Sequence, residues 1–255
     1  MHTFLSLFLL FACDNPYEEA KALNTIEAYE TYLKEHPTSA QALVAKHELE
    51  SLYVEKAETS KSLEDYDAYL KRFEEKKDRP EYKKIEKQRM ARAWDIANLE
   101  DTPESYQKFI DTYKHTNSPK IKSAGILIKT AKYKANIEVS DLEQEQANMA
   151  QDAEGPLNGW LFSATITNNT TRDIKFLKAK LHFLDAEGNI LSSHVSDGTV
   201  VIGELYGREW ATPKPRKPPF KIGDSRKWTY LTGDIPPNWS KRVRLQLFQV
   251  QFMND

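Results

Sequence analysis

Residues 25–33 read Thr25-Ile26-Glu27-Ala28-Tyr29-Glu30-Thr31-Tyr32-Leu33, and the same text returns twice in altered form. The second copy is Ser62-Leu63-Glu64-Asp65-Tyr66-Asp67-Ala68-Tyr69-Leu70, and the third is Thr102-Pro103-Glu104-Ser105-Tyr106-Gln107-Lys108-Phe109-Ile110. Each copy has a hydroxyl residue, a glutamate two later and a tyrosine four later, then an aromatic followed by an aliphatic. The register reaches backward as well: Ala20, Ala57 and Ala97 each stand nine residues before Tyr29, Tyr66 and Tyr106. The tyrosines are 37 and 40 residues apart, a period typical of stacked supersecondary units.

The physics of one unit is readable. Ile26, Tyr29, Tyr32 and Leu33 fall on one helical face, as do Leu63, Tyr66, Tyr69, Leu70 and Phe73, and again Tyr106, Phe109, Ile110 and Tyr113. Ser62 with Asp65 predicts a capping box, and Thr102 before Pro103 an N-cap with proline at the first helical position. Each helix meets a breaker: Pro37-Thr38-Ser39, Asp78-Arg79-Pro80 and Asn117-Ser118-Pro119. A second helix follows each break. These are marked by Ala42, Ala45, Leu49 and Leu52, then by Ile85, Met90, Ala93, Trp94 and Ala97, then by Ala124, Leu127, Ile128 and Ala131. Small alanines let one helix approach its neighbour's aromatic stripe. No single pair can bury its face alone, so the pairs must stack. Core packing, and not a peptide groove, is the expected use of Tyr29, Tyr66 and Tyr106.

The stretch Ala28-Tyr29, Tyr32-Leu33, His36-Pro37, Ser39-Ala40 and Ala42 to Ala45 resembles the tetratricopeptide-like repeats of bacterial envelope lipoproteins, such as the barrel-assembly lipoprotein D family. The resemblance covers residues 17–136 and implies an α-α helical repeat domain with a concave docking surface. The second unit departs from it by a charged insertion, Glu74 to Arg79.

At the N-terminus, Phe4 to Ala12 is apolar apart from Ser6, too short for a bilayer span but the length of a secretory h-region. It ends Leu10-Phe11-Ala12-Cys13, and Cys13 is the chain's one cysteine. This resembles the bacterial lipoprotein signal, in which cleavage leaves a lipidated cysteine at the new terminus. The resemblance implies a signal peptide at 1–12, a lipidated linker at 13–16, and a membrane anchor through a diacylglyceryl group and an amide-linked chain on Cys13. The other reading is an ordinary signal peptide followed by an incidental thiol. A lone cysteine makes no internal disulfide.

After Asn136 the period changes from helical to two. Trp160 to Thr167 reads as a strand, Asn168 to Thr171 as a turn, and Phe176 to Asp185 as a strand with Leu177, Ala179, Leu181 and Phe183 on one side. Ala186-Glu187-Gly188-Asn189 reads as a hairpin turn before Ile190-Leu191. Arg226 to Leu231 and Val243 to Phe252 follow, the latter with Val243, Leu245, Leu247 and Gln249 on one face and Phe248, Val250 and Phe252 breaking the polar other face, which implies a register shift there. Ile137 to Leu142 supplies a first strand. Several short strands at this spacing suggest an all-β immunoglobulin-like sandwich over 137–255. The segment from Gly159 to Thr170, with Leu181 to Leu191, resembles bacterial extracytoplasmic sandwiches of the FxLYD type, with Asn168 and Asp185-Ala186-Glu187-Gly188 in the matching places. That resemblance implies an accessory contact module. Asn168 and Asp185 read as turn residues bonded to local backbone.

The loop Trp210 to Phe220 holds Pro213, Pro215, Pro218 and Pro219 with Lys214, Arg216 and Lys217 between them. Trp210, Lys214, Arg216 and Lys217 are the candidate contacts for an acidic partner or lipid headgroups; a rigid crossover between sheets is the other reading. Trp210, Trp228 and Trp239 raise sugar stacking as a second function. The chain has 36 Lys plus Arg against 38 Asp plus Glu, which leaves no basic footprint for nucleic acid. The six histidines show no metal-ligand spacing, and no nucleophile elbow or phosphate loop occurs. No catalytic residue, metal or cofactor is expected. The composite expectation is a multidomain α + β protein, lipid-anchored in the bacterial cell envelope and facing the periplasm or cell surface. It would act as a non-catalytic protein–protein adaptor, or alternatively as a glycan- or peptidoglycan-binding lipoprotein.

Overall fold

The computed structural model describes residues 15–152, 155–195 and 219–253. Among the described residues seven α-helices come first: α1 (Pro16–Leu23), α2 (Ile26–Glu35), α3 (Ala42–Ser60), α4 (Leu63–Arg72), α5 (Pro80–Glu100), α6 (Pro103–Tyr113) and α7 (Pro119–Lys134). Six strands follow: β1 (Ile137–Asp152), β2 (Gly155–Asn168), β3 (Ile174–Leu184), β4 (Ile190–Val195), β5 (Ser225–Thr232) and β6 (Arg242–Phe252). The α-then-β layout expected from the change in period is therefore present. Helix gives way to strand at Ile137, where the sequence puts its boundary. Compactness divides the chain elsewhere, inside α5, into residues 1–93 and 94–255.

In the first unit the caps form as their chemistry requires. Thr25 Oγ1 accepts from Ala28 N at 3.1 Å, and Ser62 Oγ accepts from Asp65 N at 3.1 Å. The box expected at Ser62 is only half made. The Asp65 carboxylate takes the Ser62 hydroxyl at 3.0 Å, while Ser62 N turns to Ser60 Oγ. The repeat stripe goes inward. Tyr29, Tyr32, Leu33, Tyr66, Tyr69 and Phe73 are buried together with Ala20, Ala42, Ala45, Ala57 and Leu49. Ala45 and Ala57 keep no solvent-accessible surface, so each marks a place where two helices meet closely. The charged insertion has a structural use. It forms a short 3-10 turn at Glu74–Lys76, and Lys76 Nζ reaches back to Glu50 Oε2 at 2.6 Å. The same glutamate accepts from Tyr69 Oη at 3.3 Å, and burial with this anion beside it pushes the Tyr69 phenol well above its ordinary range.

In the second unit two antiparallel sheets enclose one core. Their orders are β1-β2-β5 and β4-β3-β6. Phe162, Ala164 and Ile166 of β2 and Trp228 of β5 meet Leu177, Ala179, Leu181 and Phe183 of β3 and Leu247 and Phe252 of β6. The expected shift in the last strand is a bulge. Lys178 pairs with Gln249 and Ala179 with Leu247, which leaves Phe248 as the extra residue. Before it, Leu247 faces the core; after it, Phe252 does.

The first strand is longer than the expected 137–142. It passes a register shift between Ser140 and Glu143, with Asp141 at φ 52°, and stays paired with β2 as far as Asp152. Glu143 to Gln146 carry no apolar alternation to reveal this. The third helical pair groups with the sheets: Tyr133 of α7 packs edge-on against Phe252 at 4.6 Å, and Thr130 Oγ1 donates to the carbonyl of Phe248 at 3.4 Å. Enlarging a close helix contact tests the packing of the first unit. Ala57→Leu should destabilise the chain by about 1–3 kcal/mol through overpacking, read as a lower urea midpoint, whereas Leu43→Ala at an exposed site should change it little.

Candidate functional site

The outward face of β3 and β6 carries Lys180, His182, Arg244 and Gln246, residues that a two-period pattern assigns to solvent. Three of them, Lys180, His182 and Gln246, are buried, because the end of α5, α6 and α7 cover this face and bring matching polar groups. Asp101 organises the match. It follows α5 in the left-handed region, φ 52°, and its carboxylate Oδ1 accepts from Tyr106 Oη at 2.6 Å, from Gln246 Nε2 at 2.9 Å and from Lys134 Nζ. Arg244 adds an ion pair to Oδ2 at 3.7 Å and donates to the carbonyl of Leu99. The loop is held downstream by the expected Thr102 cap, which here forms a complete box with Ser105.

The chain of bonds continues into the sheet. Gln246 Nε2 is committed to Asp101 and Tyr106, so its Oε1 faces His182 Nε2 at 3.1 Å. That fixes the His182 proton on Nε2 and leaves Nδ1 to accept from Ser193 Oγ at 2.7 Å. Burial, with the nearby charges of Lys180 and Arg244, holds the imidazole down at about 4, against the pull of Gln246 and Asp101. Burial and the bond to Asp101 raise the Tyr106 phenol far out of its ordinary range. Burial lowers Lys134 too, opposed by Asp101. His182 and Tyr106 are therefore neutral at neutral pH, and all three groups serve as bonds between layers.

Next to this network lies a cationic cluster around Trp94. Lys180 Nζ stands 4.5 Å from the ring centre of Phe248 and 5.8 Å from that of Trp94, and Lys120 Nζ stands 5.5 Å from Trp94. Lys180 and Trp94 are each 8% exposed. Burial and the neighbouring Lys120 and Lys134 bring the Lys180 ammonium down to about 8, against the opposing pull of Asp101 and Asp95. Sequence reasoning missed all of these residues. One signal could have found them, a lysine and a histidine at alternate positions in the most apolar strand of the chain.

The residues singled out from the sequence fare differently. Cys13, Trp210, Lys214, Arg216 and Lys217 lie outside the described residues. Trp228 is fully buried, and Trp239 packs against Trp160, Phe162 and Phe183, so Trp228 has no ring face to offer a sugar. Asn168 is a buried corner: it donates to the carbonyls of Arg172 and Phe220 and accepts from Thr170 N and Oγ1. Asp185 accepts from Asn189 N at 2.7 Å and Nδ2 at 3.0 Å within its hairpin turn. Burial pushes its carboxyl up, but these bonds outweigh that and hold it below the usual range. Among the described residues no group of three or more His, Cys, Asp and Glu is placed to hold a metal, and no helix is long and apolar enough to cross a membrane. No family model, no curated protein and no solved structure matches the chain.

Two measurements test the network. Asp101→Asn leaves Lys134 and Arg244 without their shared counter-charge and should cost about 3 kcal/mol in urea unfolding. For His182 the folded value of about 4 lies below the free value of 6.5, so the unfolded chain binds the extra proton between these limits. Stability from this group is whole above the free value, falls as pH drops toward the folded value and levels below it. His182→Asn should flatten that window by about 2–3 kcal/mol relative to the parent, read as urea midpoints across the same pH range.

Proposed function

We propose that the chain is a lipid-tethered adaptor of the bacterial cell envelope, with no catalytic role, whose helical hairpins dock a protein partner and whose C-terminal sheets form an accessory contact module. The observation that carries this reading is where the repeat aromatics go. Tyr29, Tyr66 and Tyr106 are buried with the alanines that precede them, so the hairpins use their repeated stripe to stack and leave their outer faces for recognition. Those outer faces are charged and grooved. One groove of about 800 Å³ runs beside α6 and is lined by Glu104, Gln107, Lys108, Asp111 and Ile128. Another of about 490 Å³, beside α3, is lined by His47, Glu50, Glu55, Glu58 and Arg79. Helix pairs with an aromatic and alanine core are consistent with tetratricopeptide-like repeats. Two antiparallel sheets around one core, with a buried Trp228, are consistent with an immunoglobulin-like sandwich.

The tether is the acylated Cys13 expected from the apolar run before it. Two acyl signals hold a protein at a bilayer where one does so only marginally. The buried network around Asp101 and His182 supports a structural use for the groups that would otherwise be candidates for acid–base work. Expression of the whole chain in a bacterial host tests both halves. The parent should fractionate with membranes and carry a lipid mass increment at Cys13, and Cys13→Ser should move to the soluble fraction. In-cell crosslinking followed by mass spectrometry should recover a partner through residues of α2 to α7. Membrane fractionation unchanged by Cys13→Ser, with no lipid mass on the parent, would overturn the tether; crosslinks confined to lipid or glycan would overturn the adaptor.

A further inference from the structure

We infer that Lys120 and Lys180, standing on the ring of Trp94, form a binding site for a single carboxylate carried by an acidic segment of a partner protein. The nature of the carrier rests on the adaptor reading, while the site itself does not. Its geometry starts from an imbalance. The other cations of this region each have an acid: Lys134 and Arg244 share Asp101, and Lys120 lies in the field of Asp95. Lys180 is more than nine-tenths buried and, among the described residues, stands against the rings of Phe248 and Trp94 with no carboxylate in ion-pair contact, Asp101 and Asp95 acting on it only through space. A buried ammonium without a counter-ion opposes folding, and an apolar side chain of the same length would serve the fold better. The aromatic rings temper the charge without neutralising it. They therefore keep an ammonium dry and ready for an incoming anion, with Lys120 close enough to bind the same group.

The size of that group follows from exposure. Trp94 and Lys180 are each only 8% exposed, which suits a carboxylate at the end of a side chain and not a broad anionic surface. The charged groups around it are Lys120 and Lys134 of α7, Asp95 of α5 and Asp101 beyond its end, and together they leave an excess of positive charge. An arriving carboxylate would relieve the repulsion among the three lysines and raise the affinity of Lys180 for its proton.

The test uses the full chain carrying Cys13→Ser, with lysine ¹³Cε resonances followed by NMR while sodium acetate, a glutamate-rich peptide or inorganic phosphate replaces chloride at constant ionic strength. Acetate and the peptide should shift the Lys180 signal saturably and raise its titration midpoint. Lys120→Met should weaken acetate binding at least about fivefold. Lys180→Met should unfold at a higher temperature than the parent and show no saturable stabilisation by acetate. An acetate response equal in the parent and in Lys180→Met, or none beyond that of chloride, would overturn the site. Saturation by phosphate at lower concentration than by acetate or peptide would overturn the choice of a carboxylate. Crosslinking separates this from the adaptor reading: a partner still captured by Lys180→Met with unchanged yield would sink the site alone, and an acetate response with no captured partner would sink the adaptor alone.

Discussion

The carboxylate of Asp101 accepts from a phenol, an amide and an ammonium at one oxygen and faces a guanidinium at the other. The donors come from α6, α7 and β6, so one side chain fastens two helices to a sheet. It can do so only because α5 ends in a left-handed turn that throws Asp101 back over the sheet, and because the Thr102–Ser105 box fixes the chain immediately after it. In a site this dry, each bond strengthens its neighbours, and each donor would be costly to leave unmatched. The second unit is therefore built in three layers, with a sheet of two buried faces in the middle. One face of that sheet is apolar and meets β2 and β5; the other is polar and meets helices.

This arrangement explains which parts of the molecule were legible in the sequence. The repeats were, because helix stacking imposes a strict spacing of large and small residues. The alanine nine places before each tyrosine is buried in all three copies. The apolar face of β3 was equally plain, since Leu177, Ala179, Leu181 and Phe183 lose all their accessible surface. The polar face was not. Lys180, His182 and Gln246 look like surface residues until partners as far as 145 positions away in the chain are known, and hydrogen bonding across such separations leaves no period. The extension of β1 was hidden for a different reason: its pairing with β2 is made by backbone bonds and needs no apolar alternation.

The candidate site illustrates the same limit. A lysine among apolar residues reads as an outward-facing position, and its burial by Trp94 and Phe248 depends on α5 and on a bulge in another strand. Cys13 and the basic proline loop were legible as motifs alone, since they lie outside the described residues. The network around His182 has the opposite character. Its groups are those of acid–base chemistry, yet their bonds are all internal.

The extra residue in β6 has a consequence for how this strand can change. Ahead of Phe248 the odd-numbered side chains point between the sheets, and beyond it the even-numbered ones do. The strand thus carries a phase error that the fold requires: it lets the same ribbon supply Gln246 and Phe248 to the helices and Phe252 to the interior. Loss of one residue between Leu247 and Phe252 would restore a regular pleat with Phe252 still turned inward, and would subtract one side chain from the face that meets the helices. The interior is therefore indifferent to that loss, and it is the helical side that holds the strand to its length.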